Sequence, residues 1–168
     1  MAGKRAVKSI IEVFSGGELD VDRERWFAEL KMLDPIRIFS EKLDVHIVED
    51  GHEIPVRIYF PMGGGFPAMG EEKKEWIESY RGDVILFLHG GGWITESVET
   101  YERICVLLAK STERPVLSVE YRRAPENKFP IPLMDGYCAV RALYAGRIFP
   151  KVSPENIIML GDSAGGNM

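Results

Sequence analysis

Two short segments of this chain carry residue types suited to acyl transfer: Gly161-Asp162-Ser163-Ala164-Gly165-Gly166-Asn167 and His89-Gly90-Gly91-Gly92-Trp93. The first has the pattern Gly-x-Ser-x-Gly, which sets a serine on a sharp strand-to-helix turn with its hydroxyl clear of the sheet. Gly161 and Gly165 flank that bend, where a side chain would collide with the neighbouring strand or helix. In the second segment three successive glycines let the backbone turn its N–H groups toward one point. When a serine oxygen adds to an ester carbonyl, the carbonyl oxygen becomes an anion, and each fixed donor aimed at it contributes on the order of 3 kcal/mol. Ser163 is therefore the expected nucleophile and Gly91, Gly92 and Ala164 the expected oxyanion donors. His89, Gly90, Gly161, Asp162 and Gly165 are expected to support the two motifs. Gly-x-Ser-x-Gly alone also occurs in surface loops, and its weight here comes from the pairing with the glycine run. A phosphate-cradling loop competes for that run, but neither G-x-G-x-x-G nor G-x-x-x-x-G-K-[ST] is present.

Such a site needs strands that deliver both motifs to one place. Residues 84–88 are a continuous apolar run leading into His89, and residues 156–160, apolar on both faces, lead into Gly161, as strands of a buried parallel sheet do. Residues 115–119 read as another strand. Between them lie helical patterns over about 98–110, with Ile104, Leu107 and Leu108 facing inward, and about 133–145. Strand, helix, strand, helix, strand implies parallel pairing with right-handed crossovers. Upstream, residues 43–48 and 54–60 around the Asp50-Gly51 turn read as a β-hairpin. Residues 20–33 form an amphipathic helix ending before Pro35, 71–78 a short solvated helix, and 61–67 a surface loop. Pro125, Pro130 and Pro132 mark 121–132 as a loop.

With Tyr121-Arg122-Arg123-Ala124-Pro125-Glu126, Phe129-Pro130 and Asp135, the two motifs resemble the hormone-sensitive-lipase-like branch of the α/β-hydrolases, a large group of carboxylesterases. The resemblance runs from about Asp34 onward, with Arg123 where the family has leucine. It implies an α/β-hydrolase fold in which 1–40 is a cap-like helical segment. Residues 41–168 then form an incomplete core, the N-terminal part of a mostly parallel sheet flanked by helices and truncated after the nucleophile elbow. The implied activity is hydrolysis of small carboxylic esters of short or medium acyl chain through an acyl-enzyme, with no cofactor and no metal. Cap helices in the family make Trp26 and Phe27 candidates for lining an acyl pocket, the plainer alternative being packing onto the body. Trp93 either shapes the pocket near the oxyanion loop or packs.

In this family His89 has a structural part, and the order of the triad is Ser, then Asp or Glu, then His, so the orienting acid and the base are expected after Ser163. Asp162 and Asp135 are expected to be structural, and His46 and His52 to lie on the surface. The chain by itself is therefore expected to lack the triad Asp and His, to have little esterase activity, and to expose a strand edge that favours aggregation. Two alternatives stay open: a ligand-binding protein on the same scaffold, as in the plant gibberellin receptors that resemble this family, or a truncated gene product without a function of its own.

Composition agrees. A chain of 168 residues, 45% hydrophobic and 28% charged, suits one ordinary globular core, and a net charge of -5 argues against nucleic acid or an anionic membrane as partner. Cys105 and Cys138 fall in apolar helical stretches without metal-ligand spacing and are expected to be reduced core thiols. No run of about 18 apolar residues suggests a membrane span, and residues 1–14 lack the apolar stretch of a signal peptide, so a cytoplasmic location is the default expectation.

Overall fold

The five apolar residues of Val84–Leu88 form a strand buried along its whole length, and the other strands are arranged about it. The computed structural model describes residues 20–30, 41–49, 51–61 and 70–168. Strands β1 (Lys42–Glu49), β2 (His52–Tyr59), β3 (Val84–Leu88), β4 (Val116–Val119) and β5 (Ile157–Gly161) make one sheet in the order β1-β2-β4-β3-β5. β3 runs parallel to both β4 and β5, whereas β2 is antiparallel to β1 and β4. The expected hairpin thus joins the parallel strands through β4, and the sheet is mixed. Helices α1 (Val21–Leu30), α2 (Gly70–Ser79), α3 (Glu102–Thr112), α4 (Ile131–Tyr144) and the single turn α5 (Ala164–Asn167) accompany it. Apart from α1, most of the segment 1–40 lies outside the described residues, as does the loop expected over 61–67 beyond Pro61.

Alternation along the strands divides the core into two layers. Val84, Leu86 and Leu88 join Leu117 and Val119 on one face, against Cys138, Ala139, Ala142 and Leu143 of α4. Ile85, Phe87 and Val116 point the other way, against Cys105, Val106 and Ala109 of α3. Both cysteines are buried and unbridged, and burial pushes the Cys105 thiol up to about 12.

Three local expectations change. α3 turns its small residues Cys105 and Ala109 to the sheet, allowing a close approach, so Ile104 and Leu107, expected to face inward, are about half exposed and only Leu108 packs in part. α2 is less solvated than its charge suggests: Ile77 is buried and Trp76 meets Phe60 edge-on at 5.3 Å and Phe149 at 6.3 Å. α4 starts at Ile131 with Pro132 in its first turn, where a missing N–H costs nothing. β5, whose exposed edge was the expectation, is the last strand of the sheet, and its Ile158, Met159 and Leu160 are 40–56% exposed. No helix among the described residues is long and apolar enough to cross a membrane.

Candidate active site

Register between neighbouring parallel strands brings the two motifs together. Leu88 at the end of β3 pairs with Gly161 at the end of β5, and the Asp162 N–H donates to the Leu88 carbonyl at 3.2 Å. The loop 89–93 and the turn carrying Ser163 therefore leave the sheet side by side at the same edge. Ser163 is exposed, with φ 48° and ψ -107°, a conformation that costs an L-residue of order 1–3 kcal/mol. Ala164, the next residue, is buried and opens α5.

Three successive residues of the other loop are left-handed: Gly91 (φ 95°), Gly92 (φ 62°) and Trp93 (φ 65°). At Gly91 glycine is needed twice over, because a Cβ there would also meet the Glu96 nitrogen at 2.6 Å. The curl is fixed by the Gly91 carbonyl, which accepts the N–H of both Ile94 and Thr95 at 3.0 Å and the Thr95 hydroxyl at 3.1 Å. Trp93 is partly buried and packs against the larger core layer. Trp26 is 56% exposed on α1, and the side chain of Phe27 lies outside the described residues.

His89 is fully buried beneath this loop, stacked on Tyr121 at 4.2 Å. Its Nδ1 lies 2.9 Å from the Gly90 carbonyl, which can only accept, so Nδ1 carries the proton and Nε2 is left with a lone pair and no partner. The Tyr121 hydroxyl donates to the His89 carbonyl at 2.8 Å, locking the same turn. Burial pushes the His89 imidazole down from 6.5 to about 4, against the pull of the Gly90 bond. A histidine kept neutral by folding binds its proton more readily once unfolded. Its contribution is therefore complete above about pH 6.5 and falls as pH drops, with about 3 kcal/mol lost below about pH 4. Urea unfolding from about pH 7.5 to about pH 4 should show a steeper decline for the native chain than for His89→Asn, and equal slopes would assign the loss to other groups.

The Asp162 carboxylate is engaged by a phenol. It accepts a short hydrogen bond from Tyr101, whose hydroxyl sits against Gly90: a Cβ on Gly90 would come within 2.7 Å of the Tyr101 oxygen and 2.8 Å of Asp162 Oδ2. Burial first, and then the Asp162 carboxylate, hold the Tyr101 phenol protonated well above its ordinary range. Tyr101 thus ties the elbow to the glycine loop, a role that nothing in its spacing announced. Tyr101→Phe is expected to lower stability by about 1–2 kcal/mol, and a double-mutant cycle with Asp162→Asn should recover most of that as coupling energy; additive losses would dismiss the tie.

The segment after β4 braces the loop from outside. Ala124 N–H donates to the Trp93 carbonyl at 2.9 Å, and Arg123 donates to the Glu96 carbonyl at 2.6 Å while pairing with Glu120 at 3.3 Å. Arg123, the departure from the expected leucine, therefore has polar partners at both ends. Asp135 is buried; although burial opposes its ionisation, Arg122 and His52 hold its carboxyl below the ordinary value. His52 Nε2 lies 3.2 Å from Asp135 Oδ1 and 3.0 Å from Arg122 Nη2, so this histidine, expected at the surface, is partly buried and anchored. His46 is exposed and pairs with Glu53 at 2.9 Å.

Comparison with known proteins gives a consistent answer. The sequence profile of the α/β hydrolase fold matches residues 85–168. An arylesterase of Saccharolobus solfataricus is 34% identical over 137 residues, covering 80% of this chain and 38% of the relative. An ethyl acetate hydrolase of Pseudomonas putida is 33% identical over 119 residues, covering 71% of this chain and 34% of the relative. The crystal structure of EstE1, a thermophilic carboxylesterase cloned from a metagenomic library, superposes with a TM-score of 0.69 at 33% identity, covering 88% of this chain and 47% of the other. The chain spans about a third of the length of these curated relatives and about half of that solved chain.

Proposed function

Because the chain belongs to the α/β-hydrolase family, in its hormone-sensitive-lipase-like branch of carboxylesterases, we propose that it supplies the nucleophile and the oxyanion pocket for hydrolysis of carboxylic esters. In this reading Ser163 Oγ adds to the acyl carbon. The amides of Gly91, Gly92 and Ala164 bind the oxygen that becomes negative, and the alcohol leaves to give an acyl-enzyme. The observation that carries the reading is the pairing of Leu88 with Gly161, from which both loops depart together. The left-handed run from Gly91 to Trp93 supports it, since successive residues in such conformations can turn their N–H groups toward one anion. Small esters are the proposed substrates, in keeping with the names arylesterase and ethyl acetate hydrolase borne by relatives.

The polar contacts of the three histidines are with groups other than Ser163: His46 with Glu53, His52 with Asp135 and Arg122, His89 with Gly90. Turnover needs a base as well, so these 168 residues by themselves are expected to turn an aryl ester over slowly. Oxyanion binding can be tested without that base. A fluorophosphonate, whose phosphoryl oxygen gains charge on attack, should modify Ser163 at least about 100 times faster than any other serine of the chain. Peptide mass mapping reads the result. An even spread of adducts over the serines, or an unchanged total in Ser163→Ala, would overturn the proposal.

A further inference from the structure

We infer that Arg25 on α1 is a positioning residue for the oxyanion loop. The inference rests on the esterase reading above. The Arg25 guanidinium makes four hydrogen bonds to two segments far away in sequence. Nε donates to the Ile94 carbonyl at 2.9 Å, one Nη to the Ala124 carbonyl at 3.1 Å, and the two terminal nitrogens take Glu126 in a fork at 2.8 and 2.9 Å. Ile94 is also the residue whose N–H closes the turn on Gly91, and Ala124 is the residue whose N–H holds Trp93. Arg25 thus grips both segments joined by the Ala124–Trp93 bond, immediately beside the left-handed run. These four bonds exceed the three donors of a lysine ammonium, and the forked grip on Glu126 needs the planar guanidinium. The bond from Arg25 is the leading reason why the Glu126 carboxyl is lowered to about 2. Seating of α1 and the curl of the glycine loop are in this way one event, so the amides of Gly91 and Gly92 keep their direction only while Arg25 is in place.

The test compares the native chain with Arg25→Met, Arg25→Lys and Glu126→Gln by hydrogen exchange and by the rate of fluorophosphonate modification of Ser163. Arg25→Met should raise amide exchange across 91–97 by about 10-fold or more while the β1–β2 hairpin keeps its protection, and should slow modification of Ser163 by a similar factor. Glu126→Gln, which leaves the carbonyl bonds available, should have the smaller effect on both. Were Arg25→Met to unfold, Arg25→Lys would carry the test, since it keeps the charge and loses the fork, and the same pairing of faster loop exchange with slower modification is expected. Unchanged exchange over 91–97 would overturn the inference, and so would faster loop exchange with an unchanged modification rate. Exchange rising equally in the hairpin would reduce Arg25 to a general stabiliser and also overturn it. If the native chain is not modified at Ser163 at all, the esterase reading fails, while the exchange comparison still decides whether Arg25 holds the loop.

Discussion

Ser163→Gly is expected to abolish fluorophosphonate modification at this position and at the same time to raise the stability of the fold by about 1 kcal/mol. The backbone of Ser163, at φ 48° and ψ -107°, lies where the Cβ of an L-residue crowds its own carbonyls, at a cost of about 1–3 kcal/mol. Glycine removes that crowding. It also enlarges the freedom of the unfolded chain, which offsets about 0.5–1 kcal/mol of the gain. Ser163→Ala separates the two parts of the effect, because alanine loses the hydroxyl but keeps the Cβ. It should be as inert toward the phosphonate as the glycine variant and no more stable than the native chain. Urea midpoints of the three proteins decide the matter: equal stability of the alanine and glycine variants would show that no strain is held at Ser163. The physical point is that the proposed nucleophile, exposed at a bend, cannot be had in a relaxed conformation here, since the strand before it and the turn after it fix both neighbours.

How much of this is legible in the sequence depends on whether a feature is local. The strand Val84–Leu88 was readable to the residue, because five apolar residues between Asp83 and His89 leave no other boundary. The hairpin followed from one turn signal, and the adjacency of the two motifs followed from both lying just after parallel strands. The inward face of α3 was not legible. Counting large apolar side chains favours Ile104 and Leu107, whereas the helix approaches through Cys105 and Ala109, whose smallness is what permits the contact. Nor did the pattern around Trp76 separate a solvated helix from one whose aromatic ring joins Phe60 and Phe149. Least legible were the long ties. Arg25 sits in a helix rich in charge, Tyr101 precedes another helix, and His52 follows a turn; nothing local distinguishes them from surface residues. Their partners, at Ile94 and Ala124, Asp162, and Asp135, are set by the topology of the whole sheet. The one hint available was Arg123, a charge where the resemblance leads one to expect leucine, and its partners prove to be the Glu96 carbonyl and Glu120.

Gly165→Ala should be the most damaging single methyl that can be added near the site, costing about 3–5 kcal/mol or preventing folding altogether. A Cβ at this position would fall onto the carbonyl of Leu88, with the His89 carbonyl 2.7 Å away, and every one of the nearest atoms belongs to the backbone of β3 and the loop it feeds. A flexible side chain could move aside; a central strand paired on both edges cannot. Relief would require α5 to retreat, yet the Gly165 N–H is bonded to the Asp162 carbonyl at 2.8 Å and a Cβ on Gly161 would in turn run into Gly165 and Gly166. The two glycines of the elbow are thus fitted against each other and against β3. Gly166→Ala is the control: the Gly161 carbonyl would be met at 3.0 Å, a contact that a shift of a few tenths of an ångström relieves, so a loss of about 1 kcal/mol or less is expected. Because the same close approach sets how far Ser163 stands from the loop of Gly91 and Gly92, any Gly165→Ala protein that does fold should also lose phosphonate reactivity at Ser163 by at least about 100-fold. A Gly165→Ala chain with native urea midpoint and native reactivity would mean that the elbow does not lie against β3, and the proposed oxyanion site would then have no structural basis.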